Sequence, residues 1–157
     1  RWADMKITDM LRKEYMIEKL LARGKTAVLE EMVAQFHRGP ETFSEPEMVR
    51  VLLEREKLGS TGIGEGIAIP HGKLEGLEGM IVAFGRSPEG IDFEAMDGKP
   101  VHLFFMLMAP ENSTGQHLKV LARISRMLKD GDFRQQLLDA GSVDQLYRII
   151  ADKDDRC

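Results

Sequence analysis

The sequence predicts an α/β fold, a single-domain sandwich in which helices flank a mixed β-sheet. Two observations predict it: helical spacing of apolar residues occurs on both sides of a glycine-rich middle, and that middle holds short apolar runs bounded by Gly and Pro. With 157 residues and 43% hydrophobic content, the chain can bury one core without disulfides or a structural metal. We therefore expect one domain over residues 1–157, with a core at about 6–152.

Two helices are predicted before the glycine-rich middle. Apolar residues recur at i, i+3, i+4 and i+7 within Lys25–Phe36, which is the spacing of one helical face. The second helix should begin after Ser44, because Glu47 follows three residues later in a capping-box pattern and Pro46 falls in the first turn. This helix should end near Leu58-Gly59.

Three strands are predicted in the middle of the chain. Gly66–Pro70 has the character of a short buried strand running into a rigid turn, and Met80–Phe84 and Val101–Ala109 are apolar runs typical of interior strands. Between the last two, Pro88–Gly90 and Asp97-Gly98 have the residue types of tight turns.

Three helices are predicted to complete the chain. The first covers Leu118–Leu128, and its expected buried side consists of Leu118, Leu121, Ala122, Ser125 and Leu128. The other two follow capping-box patterns at Asp132 with Gln135 and at Ser142 with Gln145.

Composition narrows the function. The 22 Lys and Arg against 26 Asp and Glu give a net charge of −4, which argues against a nucleic-acid partner. The lone Cys157 can form neither an internal disulfide nor a thiolate metal site. The apolar run Leu103–Ala109 is too short to span a membrane, and no leader pattern opens the chain, so we expect a cytoplasmic protein without membrane insertion.

His71 is the strongest candidate for chemistry. The stiff Pro70 precedes it and Gly72 follows it, so the imidazole should leave a turn with little to block approach. Nearby glycines could direct backbone N–H groups at an anion, and a neutral imidazole is a competent nucleophile toward phosphorus. A turn histidine without function is the competing interpretation.

Other candidates are less specific. His117 is either a surface residue at the start of a helix or a second imidazole facing His71, and Arg55 is either a solvated helix residue or a phosphate ligand. His37 reads as an exposed residue after a helix, and His102 as a core or edge histidine with one satisfied nitrogen. A metal or ligand site built from His71, His102 and His117 is a further alternative.

No nucleotide or metal cofactor is expected. Five residues separate Gly66 from Gly72, where a P-loop has four, and Leu74 stands where Ser or Thr should hold magnesium. The chain also lacks an H-E-x-x-H zinc motif and a G-x-S-x-G nucleophile elbow.

The segment Gly59–Lys73, which reads GSTGIGEGIAIPHGK, resembles the IIA type-2 domains of the bacterial phosphotransferase system. That family includes fructose, mannitol and nitrogen-regulatory IIA proteins. The likeness continues to His117-Leu118, and Gly59–Gly62 with Pro100–Pro110 makes the nitrogen-regulatory branch the closest. Arg1–Asp4 have no counterpart in the family pattern. The resemblance implies the phosphotransferase/anion transport protein-like fold.

The resemblance also implies a mechanism. His71 would be the phosphoacceptor, through Nε2, and Arg55 and His117 would bind the phosphoryl oxygens. The donor would be a histidine-containing carrier of the HPr type, and the acceptor a IIB domain or regulatory target proteins. A regulatory carrier and a sugar-transport subunit would use identical chemistry, so the sequence separates them poorly.

Overall fold

The computed structural model describes residues 5–157, so the expectation about Arg1–Asp4 lies outside the described residues. The strands are β1 (Leu11–Ile17), β2 (Gly62–Gly64), β3 (Ile67–Ala68), β4 (His71–Leu74), β5 (Ile81–Ile91) and β6 (Val101–Pro110). The helices are α1 (Lys25–Gln35), α2 (Glu45–Lys57), α3 (Thr114–Leu128), α4 (Gly131–Asp139) and α5 (Val143–Asp155). Short 3₁₀ turns cover Ile7–Asp9 and Phe36–Arg38.

The strands form one mixed sheet, as predicted. Its order is β1-β5-β6-β3-β2, and β4 also pairs with β6. The central pair β5–β6 is antiparallel, whereas β1 runs parallel to β5, and β3 and β4 both run parallel to β6. The short strands β3 and β4 therefore lie one after the other along the same edge of β6.

Two groups of helices cover the sheet. Helices α1 and α2 pack together and against β4 and β5, while α3, α4 and α5 form a second group against β6 and β1. Every residue of Ile81–Ser87 and of Leu103–Ala109 is buried, because both faces of the central strands are covered. Within residues 5–157, no helix combines the length and the apolar character needed to cross a bilayer.

The N-terminal segment held structure that the sequence patterns did not reveal. Strand β1 has three consecutive exposed residues, Arg12 to Glu14, and then two buried ones, Tyr15 and Met16, so it lacks the alternation that marks a half-buried strand. Its register against β5 also shifts between Leu11 and Met16, which explains the irregular pattern.

Two local predictions were wrong. Pro88–Gly90 do not end a strand; they lie within β5, in a bulge where its register against β6 shifts. The bulge accommodates the proline and places Gly90 at a φ of 87°. Helix α4 is capped by Asp130 rather than Asp132, because the Asp130 carboxylate accepts the N–H groups of Asp132 and Phe133. The predicted caps Ser44 and Ser142 are confirmed.

The predicted buried side of α3 was also wrong, except at Leu128. The helix begins earlier, at Thr114, and buries His117, Val120, Ile124, Met127 and Leu128. Leu118 is instead 61% exposed. The helix has a second apolar face, with residues at i, i+4 and i+7: Val120, Ile124 and Met127. This face packs toward the sheet in place of the predicted one. The rotation turns Leu118 and Leu121 outward, toward the site described next.

Candidate active site

Three elements converge beside β4 and bring the predicted site residues together. Arg55 lies in the last turn of α2, His71 begins β4, and His117 lies in the first turns of α3. The Nε atom of Arg55 is 3.3 Å from Nε2 of His71. The rings of His71 and His117 meet edge to face, with centroids 5.4 Å apart. Of the two interpretations of His117, the structure supports the second imidazole facing His71.

His71 is fixed by the main chain. It is not a turn residue, as the sequence suggested, but the first residue of β4, because Pro70 interrupts the chain only briefly and the strand then pairs with β6 at Leu107. Its Nδ1 lies 2.8 Å from the carbonyl oxygen of Ile69. A carbonyl only accepts hydrogen bonds, so Nδ1 carries the proton and Nε2 keeps its lone pair.

The charge state of His71 suits a nucleophile. Burial lowers the pKa of His71 below its ordinary value, and the positive charge of Arg55 adds to that shift, whereas the hydrogen bond to Ile69 and the negative charge of Glu56 oppose it. The imidazole is therefore neutral near pH 7, and its nucleophilic atom is the unprotonated Nε2, which accepts the Nε–H of Arg55.

Arg55 is held by the loop that follows its own helix. Its Nη1 donates to the carbonyl of Gly59 at 2.9 Å, while Nε points at His71. Gly59 has a φ of 144°, which a side chain would disfavour, and this conformation turns the chain back toward the site. The guanidinium therefore has a fixed direction and can place N–H groups beside any anion on His71.

His117 supplies an unused polar atom. The residue is 6% exposed, and its Nε2 finds no hydrogen-bond partner among residues 5–157. Burial, with smaller effects from His71 and Lys73, lowers the pKa of His117 to about 4, so the ring is neutral near pH 7. A buried polar atom without a partner is unfavourable, and a bound oxyanion would supply that partner.

The three side chains line an open cleft of about 630 Å³. Part of its rim is apolar and consists of Val51, Leu58, Leu118 and Leu121, and the carboxylates of Glu54 and Glu111 also line it. Leu58 is 84% exposed and Leu118 is 61% exposed, which is unusual for large apolar side chains and typical of a protein-docking site.

Sequence reasoning missed Lys73, which also lines the cleft. Its Nζ donates to the hydroxyl of Thr114 at 2.9 Å, so it brings a second positive charge to the side of the cleft where α3 begins. Period-two alternation could have found it, because side chains at positions 71 and 73 of a strand share a face.

Two of the glycines expected to direct N–H groups at an anion do not do so. The N–H of Gly59 donates to Glu56 and that of Gly62 to the Ser60 hydroxyl, so these groups are already occupied. Some glycines instead allow close packing. A Cβ at Gly72 would lie 2.7 Å from Cγ1 of Val51, which brings α2 directly onto β4.

The remaining histidines lie apart from this cluster. His37 is exposed, contacts Glu45 at 3.1 Å and stacks on Phe43. His102 is half-buried, with Nδ1 2.8 Å from the carbonyl of Ser87, which agrees with the satisfied core or edge histidine predicted. Among residues 5–157, no three His, Cys, Asp or Glu side chains are grouped as a metal would need.

The sequence model of the family described as "Phosphoenolpyruvate-dependent sugar phosphotransferase system, EIIA 2" matches residues 9–153. The chain belongs to this EIIA type-2 family. The match includes Arg55, His71 and His117 and most of the elements around them.

Curated relatives include nitrogen regulatory proteins and fructose-specific components. A nitrogen regulatory protein of Bradyrhizobium diazoefficiens is 42% identical over 149 residues, which cover 94% of this chain and 95% of that protein. The fructose-specific EIIABC component of Bacillus subtilis is 41% identical over 150 residues, 96% of this chain. The match spans only 24% of that longer protein.

Solved structures share the fold. The nitrogen regulatory protein IIA-Ntr of Neisseria meningitidis superposes with a TM-score of 0.86 at 35% identity, covering 92% of this chain and 98% of that one. The mannitol enzyme IIA of Escherichia coli, in its complex with phosphorylated mannitol enzyme IIB, gives a TM-score of 0.75 at 27% identity. That comparison covers 91% of this chain and 99% of that one.

Proposed function

We propose that this chain is a phosphoryl carrier that accepts a phosphoryl group on Nε2 of His71. The observation that carries the proposal is the arrangement of that nitrogen. The Ile69 carbonyl holds the proton on Nδ1, so Nε2 is the unprotonated nitrogen. Its lone pair accepts the Nε–H of Arg55 in a cleft open to another protein, and it would attack phosphorus once that N–H turns to the phosphoryl oxygens. The remaining residues of the cluster fit the charge that would develop there.

The transfer step needs no cofactor. The Nε2 lone pair of His71 attacks phosphorus on a phosphohistidine of the donor, and the P–N bond of the donor breaks as the new one forms. The electron pair returns to the donor nitrogen, so no net proton transfer is required. Phosphoryl transfer depends mainly on positioning and on stabilising the equatorial oxygens.

Arg55 and His117 would stabilise those oxygens. The guanidinium of Arg55 already contacts Nε2, so a phosphoryl group there would meet its N–H donors directly. The buried Nε2 of His117 would find the partner that it otherwise lacks. Lys73 adds a positive charge in the same cleft.

The partners follow from the shape of the site. An open cleft with an exposed apolar rim suits brief docking of a protein surface around His71. We infer an HPr-like carrier as the donor, and a IIB domain or regulatory target proteins as acceptors. The mannitol IIA relative is known in complex with its phosphorylated IIB, which supports such docking on this fold.

Between the two roles within the family, we propose nitrogen-regulatory signalling. The match to the Bradyrhizobium diazoefficiens nitrogen regulatory protein extends over 95% of that protein, and the superposition on IIA-Ntr is closer than that on mannitol IIA. A sugar-specific IIA subunit is the second candidate, because the fructose component of Bacillus subtilis is 41% identical. Both would work as cytoplasmic carriers.

Radiolabelled transfer from a phosphorylated HPr-like protein tests the site. We expect acid-labile, base-stable label that is lost in His71→Ala. Arg55→Met and His117→Gln should slow transfer by about 10²–10³-fold, the effect of one lost charge-stabilising donor. His102→Ala is the matched control, since that ring lies elsewhere on β6 and should leave the rate unchanged. Normal labelling of His71→Ala would contradict the proposal.

A sugar-phosphorylation assay separates the two roles. The labelled chain is mixed with fructose- or mannitol-type IIB and permease components, and sugar phosphate is measured. We expect none from a regulatory carrier; formation of sugar phosphate would favour the transport subunit. Stoichiometric zinc in the purified protein would favour the metal-binding alternative instead.

A further inference from the structure

Glu56 is a buried acidic residue that the transfer chemistry does not use. Its side chain is 3% exposed and accepts hydrogen bonds from both the backbone N–H of Thr61, at 3.1 Å, and the Thr61 hydroxyl. Nζ of Lys25 lies 3.0 Å from the same carboxylate. Burying a carboxylate is unfavourable unless it is paired and hydrogen-bonded. The contacts with Thr61 and Lys25 meet this requirement, and they also fix the position of the Glu56 carboxylate.

The ammonium of Lys25 links this carboxylate to the rest of the fold. Its side chain is 18% exposed, and Nζ lies 4.9 Å from the centre of the Phe93 ring and 3.2 Å from Glu94. Lys25 begins α1, whereas Phe93 and Glu94 follow β5. Glu56 is thus anchored to two other parts of the protein, and its carboxylate has a fixed position.

The anchored carboxylate of Glu56 holds the loop over residues 59–61, which contains the hydrogen-bond partner of Arg55. Thr61, which Glu56 binds, lies two residues after Gly59, and the carbonyl of Gly59 accepts the hydrogen bond from Nη1 of Arg55. The other side of this loop is tied to the strand region before His71, where the N–H of Ile69 donates to the Thr61 carbonyl at 3.0 Å. The hydrogen bonds of Thr61 to Glu56 and Ile69 therefore hold the loop over residues 59–61 in place.

We propose that Glu56 is a positioning residue, which fastens the 59–61 loop through Thr61 so that the Gly59 carbonyl aims the Arg55 guanidinium at His71. The inference rests on the proposed phosphoryl transfer. Glu56 and Arg55 are consecutive residues of α2, but the side chain of Glu56 binds Thr61 whereas that of Arg55 contacts His71. Glu56 acts on the loop, and the loop acts on Arg55.

A double-mutant cycle measures whether Glu56 acts through Arg55. Transfer rates to His71 are measured in the wild-type chain, Glu56→Gln, Arg55→Met and the double variant. We expect Glu56→Gln to slow transfer by about tenfold in the wild-type background, since small displacements of a positioned group have effects up to about 10²-fold. In the Arg55→Met background the same change should slow it by less than about twofold.

Asp154→Asn provides the matched control. Asp154 is also a fully buried carboxylate, paired with Arg123 at 2.7 Å and with the N–H of Thr8, but these residues do not line the cleft. We expect this variant to lower the unfolding temperature while the transfer rate of the folded protein stays within about twofold of wild type. Any effect of general destabilisation would appear in both variants.

Thr61→Val is a milder variant that keeps the Glu56–Lys25 pair and the backbone bonds of Thr61, and its slowing should likewise disappear in the Arg55→Met background. A readout independent of activity is the NMR signal of the Arg55 Nε–H group. We expect it to be protected from exchange in the wild-type chain and in Asp154→Asn, and to lose protection in Glu56→Gln.

The outcomes separate the two proposals. Equal slowing by Glu56→Gln in both backgrounds, or an unchanged Arg55 Nε–H signal in Glu56→Gln, would overturn the positioning role while labelling of His71 still supported the carrier function. Label that persists in His71→Ala would overturn the carrier function. In that case a lost Arg55 signal in Glu56→Gln would still support the positioning of the guanidinium.

Discussion

The contact between Gly72 and Val51 predicts that the smallest possible side chain at position 72 will disturb the site. In the structure, α2 packs on β4 at this point, and a Cβ at Gly72 would lie 2.7 Å from Cγ1 of Val51. Carbon atoms in ordinary contact are about 3.5–4.0 Å apart. Gly72→Ala therefore forces a separation of about 1 Å, since Val51 is β-branched and has one strongly preferred rotamer in a helix.

Moving α2 away from β4 would also disturb the contact between Arg55 and His71. Arg55 lies one helical turn after Val51, and His71 directly precedes Gly72, so separating α2 from β4 lengthens the 3.3 Å contact between them. An increase of about 1 Å exceeds hydrogen-bonding distance. We expect overpacking to lower the free energy of unfolding by about 1–3 kcal/mol. Transfer should slow by up to about 10²-fold because Arg55 is displaced.

Two measurements on four proteins check this reasoning. Urea unfolding gives the stability, and transfer from a phosphorylated HPr-like donor gives the rate, for the wild-type chain, Gly72→Ala, Val51→Ala and the double variant. Because Val51→Ala removes the obstructing Cγ1, the double variant should regain most of the rate lost in Gly72→Ala. Gly79→Ala is the control, since the nearest atom to a Cβ there is 4.0 Å away, on Glu41.

Wild-type stability and rate in Gly72→Ala would refute the argument, since they would mean that Val51 yields without moving α2. A rate that stays low in the Gly72→Ala, Val51→Ala double variant would refute it as well, because the steric cause would then lie elsewhere.

Two further predictions concern stability. Burial lowers the pKa of His117 from 6.5 to about 4, so protonation of this ring is disfavoured in the folded chain and carries no penalty above pH 6.5. The free energy of unfolding should therefore fall, by at most about 3 kcal/mol, as the pH drops from 6.5 toward 4; urea unfolding at several pH values should show a shallower loss in His117→Gln, and equal slopes would contradict the assignment. Ser142→Ala removes the α5 cap on Gln145 and should lower stability by about 1 kcal/mol without slowing transfer. A marked change in transfer rate would show that α5 affects the cleft.

Much of the fold could be predicted because local signals and tertiary structure agree. The helix over Lys25–Gln35, the cap at Ser44 and the strand Val101–Pro110 each follow from spacing, capping or an apolar run, and all are confirmed within a few residues. The α3 stripe failed because two apolar faces competed. The sequence cannot decide which face meets the sheet and which lines a cleft, since that depends on where β4 and β6 place the helix.

The residues of the site could be predicted from the sequence, but their arrangement in space could not. His71 was identified by its neighbours in the chain, but its nearness to Arg55 and His117 depends on α2, β4 and α3 meeting at one place. The role of Glu56 was not visible at all, because the carboxylate is distinguished only by its burial and by the distant Lys25. Long-range contacts of this kind leave no periodic trace in the sequence.

The hydrogen bond from Nδ1 of His71 to the Ile69 carbonyl has an evolutionary consequence. Many histidines at reaction centres depend on a neighbouring carboxylate, which a single codon change can delete. A peptide oxygen is present whatever amino acid occupies position 69. Descendants of this protein can therefore vary that residue for packing and still inherit an imidazole with the same tautomer, provided that the bend at Pro70 persists.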